Sequence, residues 1–228
     1  MLKFEKVSKK FGLELFNLSD INFEIENGEF VFLTGPSGAG KTTILRLILR
    51  DLKPNSGKIT LDEWELGKLK SSQLPKLRQK VGMVFQDFRL LFDRTVFENI
   101  ALALELRGVK QKEIEGRVKA MLELTSLTDC LNLFPLQLAG GELQRVCLAR
   151  AIIGEPKVLL ADEPTGNLDP KNARMILDLL FKINKMGTTV IMATHNAELV
   201  NSAKNRVINL NQGKITKDVK EGRYEEIV

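Results

Sequence analysis

The residues best able to do chemistry stand together at Gly35-Pro36-Ser37-Gly38-Ala39-Gly40-Lys41-Thr42, in the pattern G-x-x-x-x-G-K-[ST]. Its glycines let the backbone curl so that successive N–H groups point at phosphate oxygens. Lys41 supplies a cation for β/γ-phosphate charge, and Thr42 a hydroxyl suited to Mg²⁺. The pattern follows Glu29 to Thr34, an apolar run that reads as a strand buried on both faces. It precedes Thr43 to Arg50, where Ile44, Leu45, Leu47 and Ile48 recur at helical spacing. A helix opening there adds the positive end of its dipole. Strand, glycine loop and helix in that order separate a phosphate cradle from a plain turn.

A second apolar run, Val158-Leu159-Leu160-Ala161, ends in Asp162-Glu163. Ligands gather at the C-terminal edge of a parallel sheet. Beside a phosphate cradle, Asp162 is therefore a candidate to hold Mg²⁺ through water, and Glu163 to orient or deprotonate an attacking water; alone, the pair reads as a solvated strand end. His195, the only histidine, closes the strand-like Val190-Ile191-Met192-Ala193-Thr194. Its place allows a satisfied core or surface residue, or a group reaching a γ-phosphate. Leu138-Ala139-Gly140-Gly141-Glu142 opens a helix from Glu142 to Ile153. It is either a helix-entry turn or a second anion site, and one cradle already suffices for one nucleotide, so a second implies contact with the ATP of another copy.

The elements that must position these groups form an α/β pattern. Ile21, Phe23 and Ile25 alternate with Asn22 and Glu24 as a half-buried, antiparallel strand, and Leu2, Phe4 and Val7 suggest another. Pro54 to Gly57 stop the helix after the cradle. Thr95 to Arg107 and Lys112 to Leu124 read as helices, and Gly154 fits a C-cap after Ile153. Strands return at Val158 to Ala161 and Thr189 to Thr194, and Val207 to Leu210 and Lys214 to Lys217 flank Asn211-Gln212-Gly213 as a hairpin. The 228 residues, 43% hydrophobic and 28% charged, suit one well-cored domain. The net charge of +5 is spread over scattered Lys and Arg, which reads as a solvated surface rather than a nucleic-acid face. Cys130 and Cys147 lack metal-ligand spacing and read as reduced thiols. No apolar run approaches the roughly 18 residues a bilayer requires, so any membrane role needs a partner. Trp64 and the charged tail Lys217 to Glu226 receive no functional reading.

Taken in this order, the segments resemble the ABC-type ATPases over essentially the whole chain. The resemblance makes Gly35 to Thr43, including Thr43 itself, the Walker A segment, Val158 to Glu163 the Walker B and Leu138 to Glu142 the signature. It also makes Asn167-Leu168-Asp169 the D-loop, His195 the switch histidine and Gln86 the Q-loop residue that contacts Mg²⁺ or water. It implies a mostly parallel sheet with helices on both sides, an antiparallel β subdomain and an inserted helical subdomain. The expected division is 1–89 and 156–228 for the core and 90–155 for the insert. It further implies ATP and Mg²⁺ as ligands and a head-to-tail homodimer in which each ATP lies between one Walker A and the other signature. Val84 to Leu91 with Asp93-Arg94-Thr95-Val96 resemble the cell-division branch of the family. Those members are peripheral to the cytoplasmic face of the membrane and pair with an FtsX-like integral membrane protein that relays ATP-driven change to cell-wall hydrolases. Lipoprotein-release or macrolide-export ATPases, and a soluble module acting on nucleic acid or ribosomes, are the alternatives. Three residues depart from the family pattern. Ala139 stands where serine is usual, Phe92 replaces a proline, and Phe11 replaces the tyrosine that often stacks on adenine, a core role being its other reading.

Overall fold

The computed structural model describes residues 1–12 and 16–224, Phe16 by its backbone alone. β1 (Leu2–Phe11) and β2 (Phe16–Ile25) pair antiparallel, with Ile21, Phe23 and Ile25 buried and Asn22 and Glu24 exposed. β3 (Phe30–Thr34) is buried at every residue and runs through the glycine loop into α1 (Lys41–Ile48). β4 (Ser56–Leu61) and β5 (Trp64–Glu65) rejoin the first strands, and α2 (Leu74–Lys80) leads to β6 (Val81–Val84). Next come α3 (Val96–Glu105), α4 (Gln111–Leu124) and α5 (Gly140–Ile152), with no strand among these described residues. β7 (Val158–Asp162), α6 (Pro170–Lys185), β8 (Thr189–Ala193), α7 (Ala197–Ala203), β9 (Arg206–Asn211) and β10 (Lys214–Val219) complete the fold.

The strands form an antiparallel sheet, β2-β1-β4-β5, and a larger sheet, β10-β9-β3-β8-β7-β6. In the larger sheet β9, β3, β8, β7 and β6 are parallel, and β10 lies antiparallel on the edge. The continuous apolar runs are explained by cover on both faces. Phe30, Phe32, Leu159, Val190 and Met192 enter a core shared with α3, α5 and α6. Val31, Leu33, Leu160 and Ile191 enter a second core shared with α1 and the antiparallel sheet. This is the α/β architecture expected from the sequence.

Several elements escape the sequence reading. β6 is four residues long and carries Gly82, whose position leaves no room for a side chain beside the Ala151 carbonyl. α6 is capped by Asp169, whose carboxylate accepts from the Asn172 N–H, with Pro170 in its first turn; the sequence reading has no helix here. Gly154 is not a left-handed C-cap: Glu155 takes the positive φ, 52°, and Gly154 instead leaves space for the Arg107 guanidinium, which donates to its carbonyl. Trp64 is half-buried under the Lys80 ammonium, 4.7 Å from its ring. The charged tail reaches beyond the described residues at its last two positions.

The β9–β10 turn ties the two sheets to the glycine loop. Gln212 and Gly213 both have positive φ, 45° and 74°, as a tight two-residue hairpin turn requires. The Gly213 N–H donates to the Ala39 carbonyl (3.2 Å) and its own carbonyl accepts from the Ser19 N–H (2.9 Å). A Cβ at Gly213 would lie 1.8 Å from the Asn17 carbonyl oxygen. Gly213→Ala is therefore expected to lower stability by about 2–4 kcal/mol and to weaken nucleotide binding along with it. An unchanged urea midpoint would show that this turn does not hold the loop.

Candidate nucleotide site

The site lies where β3, β6, β7 and β8 end together. Leu33 pairs with Ala193, Ala193 with Asp162, and Val84 with Ala161, so the residues after these strands share one edge. Gly35 leaves β3 at φ 139°, and a Cβ there would meet the Leu210 carbonyl oxygen at 2.1 Å. Only glycine lets the chain turn this close to β9. Pro36, Ser37 and Gly38 form the exposed tip of the loop, Ala39 is buried beneath it, and Gly40 stands as the left-handed residue before α1. Thr43 lies half-buried in the first turn.

Lys41 is 7% exposed and turns back on its own loop, donating to the carbonyls of Gly35 (2.8 Å) and Pro36 (3.2 Å). Its ammonium also lies 3.6 Å from Glu163 Oε1. That same oxygen is 2.9 Å from His195 Nδ1, and the His195 backbone N–H donates to Glu163 Oε2 (3.3 Å). Glu163 holds this place with a left-handed backbone, φ 48°, a conformation that costs energy for any residue with a Cβ and gathers at functional sites. Beside it, the Thr42 hydroxyl donates to Asp162 Oδ1 (3.0 Å). The structure thus brings Lys41, Thr42, Asp162, Glu163 and His195 into one cluster. Thr42 and Asp162 present hard oxygen donors side by side, a set that fits Mg²⁺ shared with phosphate oxygens.

Burial pushes the Asp162 carboxyl above its ordinary value, and the nearby Glu163 charge adds to this against the hydrogen bond from Thr42. Gln86 lies two residues beyond β6 on the same edge, exposed. Phe11 ends β1, half-buried, with the Lys9 ammonium 5.4 Å from its ring. Its N–H donates to Asn17 (3.3 Å), and Asn17 packs on Gly213, so Phe11 sits on the side of the fold that supports the glycine loop.

Ala139, Gly140, Gly141 and Glu142 stand apart from this cluster. Among the described residues no hydrogen bond or ion pair joins them to the glycine loop. Ala139 and Gly140 open α5 to solvent, and the Ala139 N–H donates to Glu142 Oε2 (2.8 Å). Asp169 caps α6: its Oδ2 accepts from Asn172 Nδ2 (2.5 Å), and these bonds hold its carboxyl below the usual range. The sequence reading missed Asn172. Its amide oxygen lies 2.5 Å from where a Gly141 Cβ would be, so Gly141 gives the Asn172 amide its space and joins the turn at α5 to Asp169. The only signal was its third position in a capped helix.

Residues 18–166 match a protein family described as ABC transporter. The chain is 50% identical to the cell division ATP-binding protein FtsE of Mycobacterium tuberculosis, over 91% of this chain and 90% of that protein. It is 46% identical to FtsE of Bacillus subtilis, over 98% of each, and 45% identical to FtsE of Escherichia coli, over 93% and 96%. Among solved structures it is similar to the ATP-binding cassette MJ0796 in a dimeric post-hydrolysis state bound to ADP and Pi, with a TM-score of 0.88 and 35% identity over 98% of this chain and all of that one.

Because folding raises the Asp162 pKa, its contribution to stability is fully present below the unfolded value and is lost as pH rises through the raised one. At neutral pH the buried charge opposes folding. Asp162→Asn, which keeps an oxygen for Thr42, is expected to raise the melting temperature of the nucleotide-free protein at neutral pH. The gain should fade on acidification to below roughly pH 4. A gain that is the same at all pH values would remove burial of charge as its cause.

Proposed function

The chain belongs to the ABC transporter family as an ATP-binding, ATP-hydrolysing domain, and we propose that it acts as the FtsE-type ATPase of a cell-division complex. In this reading it lies peripheral to the cytoplasmic face of the membrane and couples closure of an ATP-bound homodimer to an FtsX-like membrane protein that regulates cell-wall hydrolysis. The observation that carries the cell-division assignment is the identity of 43–50% to proteins of that name over nine-tenths or more of the chain. The observation that supports hydrolysis at this site is the convergence of Lys41, Glu163 and His195 beside Asp162 and Thr42.

In the proposed mechanism, triphosphate oxygens replace the Gly35 and Pro36 carbonyls as partners of Lys41, while the loop N–H groups and the α1 dipole hold the phosphates. Phe11 stacks on the adenine. Thr42, Asp162 and Gln86 would hold Mg²⁺, which neutralises phosphate charge when bound. Lys41 then releases Glu163, which orients the attacking water and accepts its proton, and His195 moves from Glu163 to the γ-phosphate. Ala139, Gly140, Gly141 and Glu142 of one copy cover the ATP of the other, with Asp169 at the same interface. That no hydrogen bond or ion pair joins these residues to the glycine loop, among the described residues, supports this division between copies.

The membrane partner is proposed to seat on the groove between β6 and α3, about 620 Å³, lined by Phe85, Arg89, Leu102 and Leu106. Leu106 is 77% exposed, and nearby in sequence Leu91 and Phe92 are 42% and 50% exposed. Such apolar residues around the Gln86 loop suit contact with another protein.

Glu163→Gln is expected to cut ATP turnover by about 10²-fold or more and to retain the dimer in ATP on gel filtration. Hydrolysis at the parent rate would remove Glu163 from this role. Ala139→Ser restores a hydroxyl facing the partner's γ-phosphate, and a hydrogen bond to a charged group contributes about 1.5–3 kcal/mol. That variant should dimerise at an ATP concentration lower by about tenfold or more and turn over faster. Capture from native membranes with ATP and Glu163→Gln tests the assembly. An integral protein with a large extracytoplasmic segment, together with division or cell-wall proteins, is the expected result; a transport permease or lipoprotein-release complex would overturn it.

A further inference from the structure

A half-buried cation joins the Gln86 loop to α5. Phe88 and Arg89 are consecutive non-glycine residues with left-handed backbones, φ 57° and 50°. Each such residue costs about 1–2 kcal/mol, so the pair needs a holder. Arg150 provides it from the last turns of α5. Its NH1 donates to the Arg89 carbonyl (2.7 Å) and its NH2 to the Phe88 carbonyl (3.0 Å), while Cys147 Sγ donates to the same Phe88 oxygen (3.2 Å). Among the described residues no carboxylate pairs with Arg150; two of its five N–H groups go to these peptide carbonyls. Burial lowers its pKa and pushes the Cys147 thiol up to about 12, so near neutrality both groups remain protonated donors.

Further along, Asn99 of α3 holds Leu91, accepting from its N–H and donating to its carbonyl (2.9 Å each), and the residues around Gln86 bond among themselves. The Arg89 guanidinium lies 3.9 Å from the centroid of the Phe85 ring and bonds to Asp87 (3.1 Å), and the Arg89 N–H donates to the Asp87 carbonyl (2.6 Å). Gln86 stands inside this closed segment. Among the described residues, only Arg150 and the Cys147 thiol bond the backbone carbonyls of Phe88 and Arg89 from the helical layer.

We propose that Arg150 is a positioning residue for Gln86: its two-pronged hold on Phe88 and Arg89 makes the loop after β6 move as one body with α5. The proposal rests on the reading of Gln86 as a group at Mg²⁺ and the attacking water. α5 rises about 1.5 Å per residue, and its opening turn is Ala139-Gly140-Gly141, so the same rigid rod carries the turn proposed to cover a second ATP. A load on the groove lined by Phe85, Arg89 and Arg150 reaches both ends chiefly through Arg150, with the Cys147 thiol beside it.

The test is a mutant cycle in the full chain with MgATP, using Arg150→Met, Arg150→Lys, Gln86→Ala and the combinations with Gln86→Ala. Arg150→Met is expected to lower kcat by about 10–100-fold, to raise the Mg²⁺ concentration for half-maximal rate, and to leave KM within about threefold. Arg150→Lys should restore part of the rate, since an ammonium keeps the charge and loses the fork. In the Gln86→Ala background, Arg150→Met should change kcat little further. Multiplying effects in the double variant, or a lower melting temperature with kcat and Mg²⁺ dependence intact, would overturn the proposal. Should Arg150→Met not fold, Arg150→Lys and Cys147→Ala run through the same cycle decide it by the same criterion. If Gln86→Ala alone leaves kcat and Mg²⁺ dependence unchanged, the role of Gln86 itself falls, an outcome distinct from additivity.

Discussion

Lys41 is a nearly buried ammonium, and the site is organised around keeping it there. A cation out of water costs several kcal/mol unless other groups replace the solvent. Two carbonyls of its own loop and the Glu163 carboxylate do so here. The same three partners make the site ready for an anion. A triphosphate can take over the ammonium, and the carboxylate it leaves behind already lies against His195. Glu163 is restrained here by Lys41 and His195, and in the proposed mechanism nucleotide frees it, through groups that all lie at one sheet edge.

That edge exists because the sheet beneath it is apolar on both faces. Alternate residues of β3, β7 and β8 enter different cores, so no strand can slide by one residue without exchanging its two faces. Register fixed in this way puts Asp162 and Glu163 opposite the end of β3 with no contribution from the polar groups themselves. The polar cost is concentrated at the edge: Asp162 is buried with its charge opposed by burial, and Glu163 has a strained backbone. The antiparallel sheet contributes through Gly213, which passes hydrogen bonds from β2 to the floor of the glycine loop.

The parts of the site legible in the sequence are those whose chemistry is written in adjacent letters. The glycine loop, the carboxylates after Ala161 and the histidine after Thr194 each follow an apolar run that becomes a buried strand, so spacing put them at strand ends, while a role at phosphate for the carboxylates and the histidine came only from the glycine loop and the family resemblance. The alternation of Ile21, Phe23 and Ile25 gave β2 for the same reason. β6 was illegible because four residues with a glycine carry no period. Gly154 was misread because a glycine after a helix has two uses, and the second, room for Arg107, depends on a residue far away in the chain. Asn172 and Arg150 were hidden more deeply. One serves by filling the space a glycine leaves, and the other by holding backbone carbonyls; neither partner has a letter that announces it.

The same reasoning bears on Ala139. A serine before a helix accepts a hydrogen bond from an N–H of the first turn, and its loss costs about 0.5–2 kcal/mol of helix stability. Here Glu142 supplies the other half of that exchange by accepting from the Ala139 N–H, and the N–H groups of the opening turn have no hydroxyl competing for them. α5 is instead held along its length, by Gly141 against Asn172 near its start and by Arg150 and Cys147 on the Gln86 loop near its end. A helix fixed at both ends by tertiary contacts depends little on its cap, which explains how the fold tolerates alanine there. In the proposed dimer, what alanine lacks is a donor toward a second molecule's phosphate, so its effect there would belong to association between copies rather than to the stability of one.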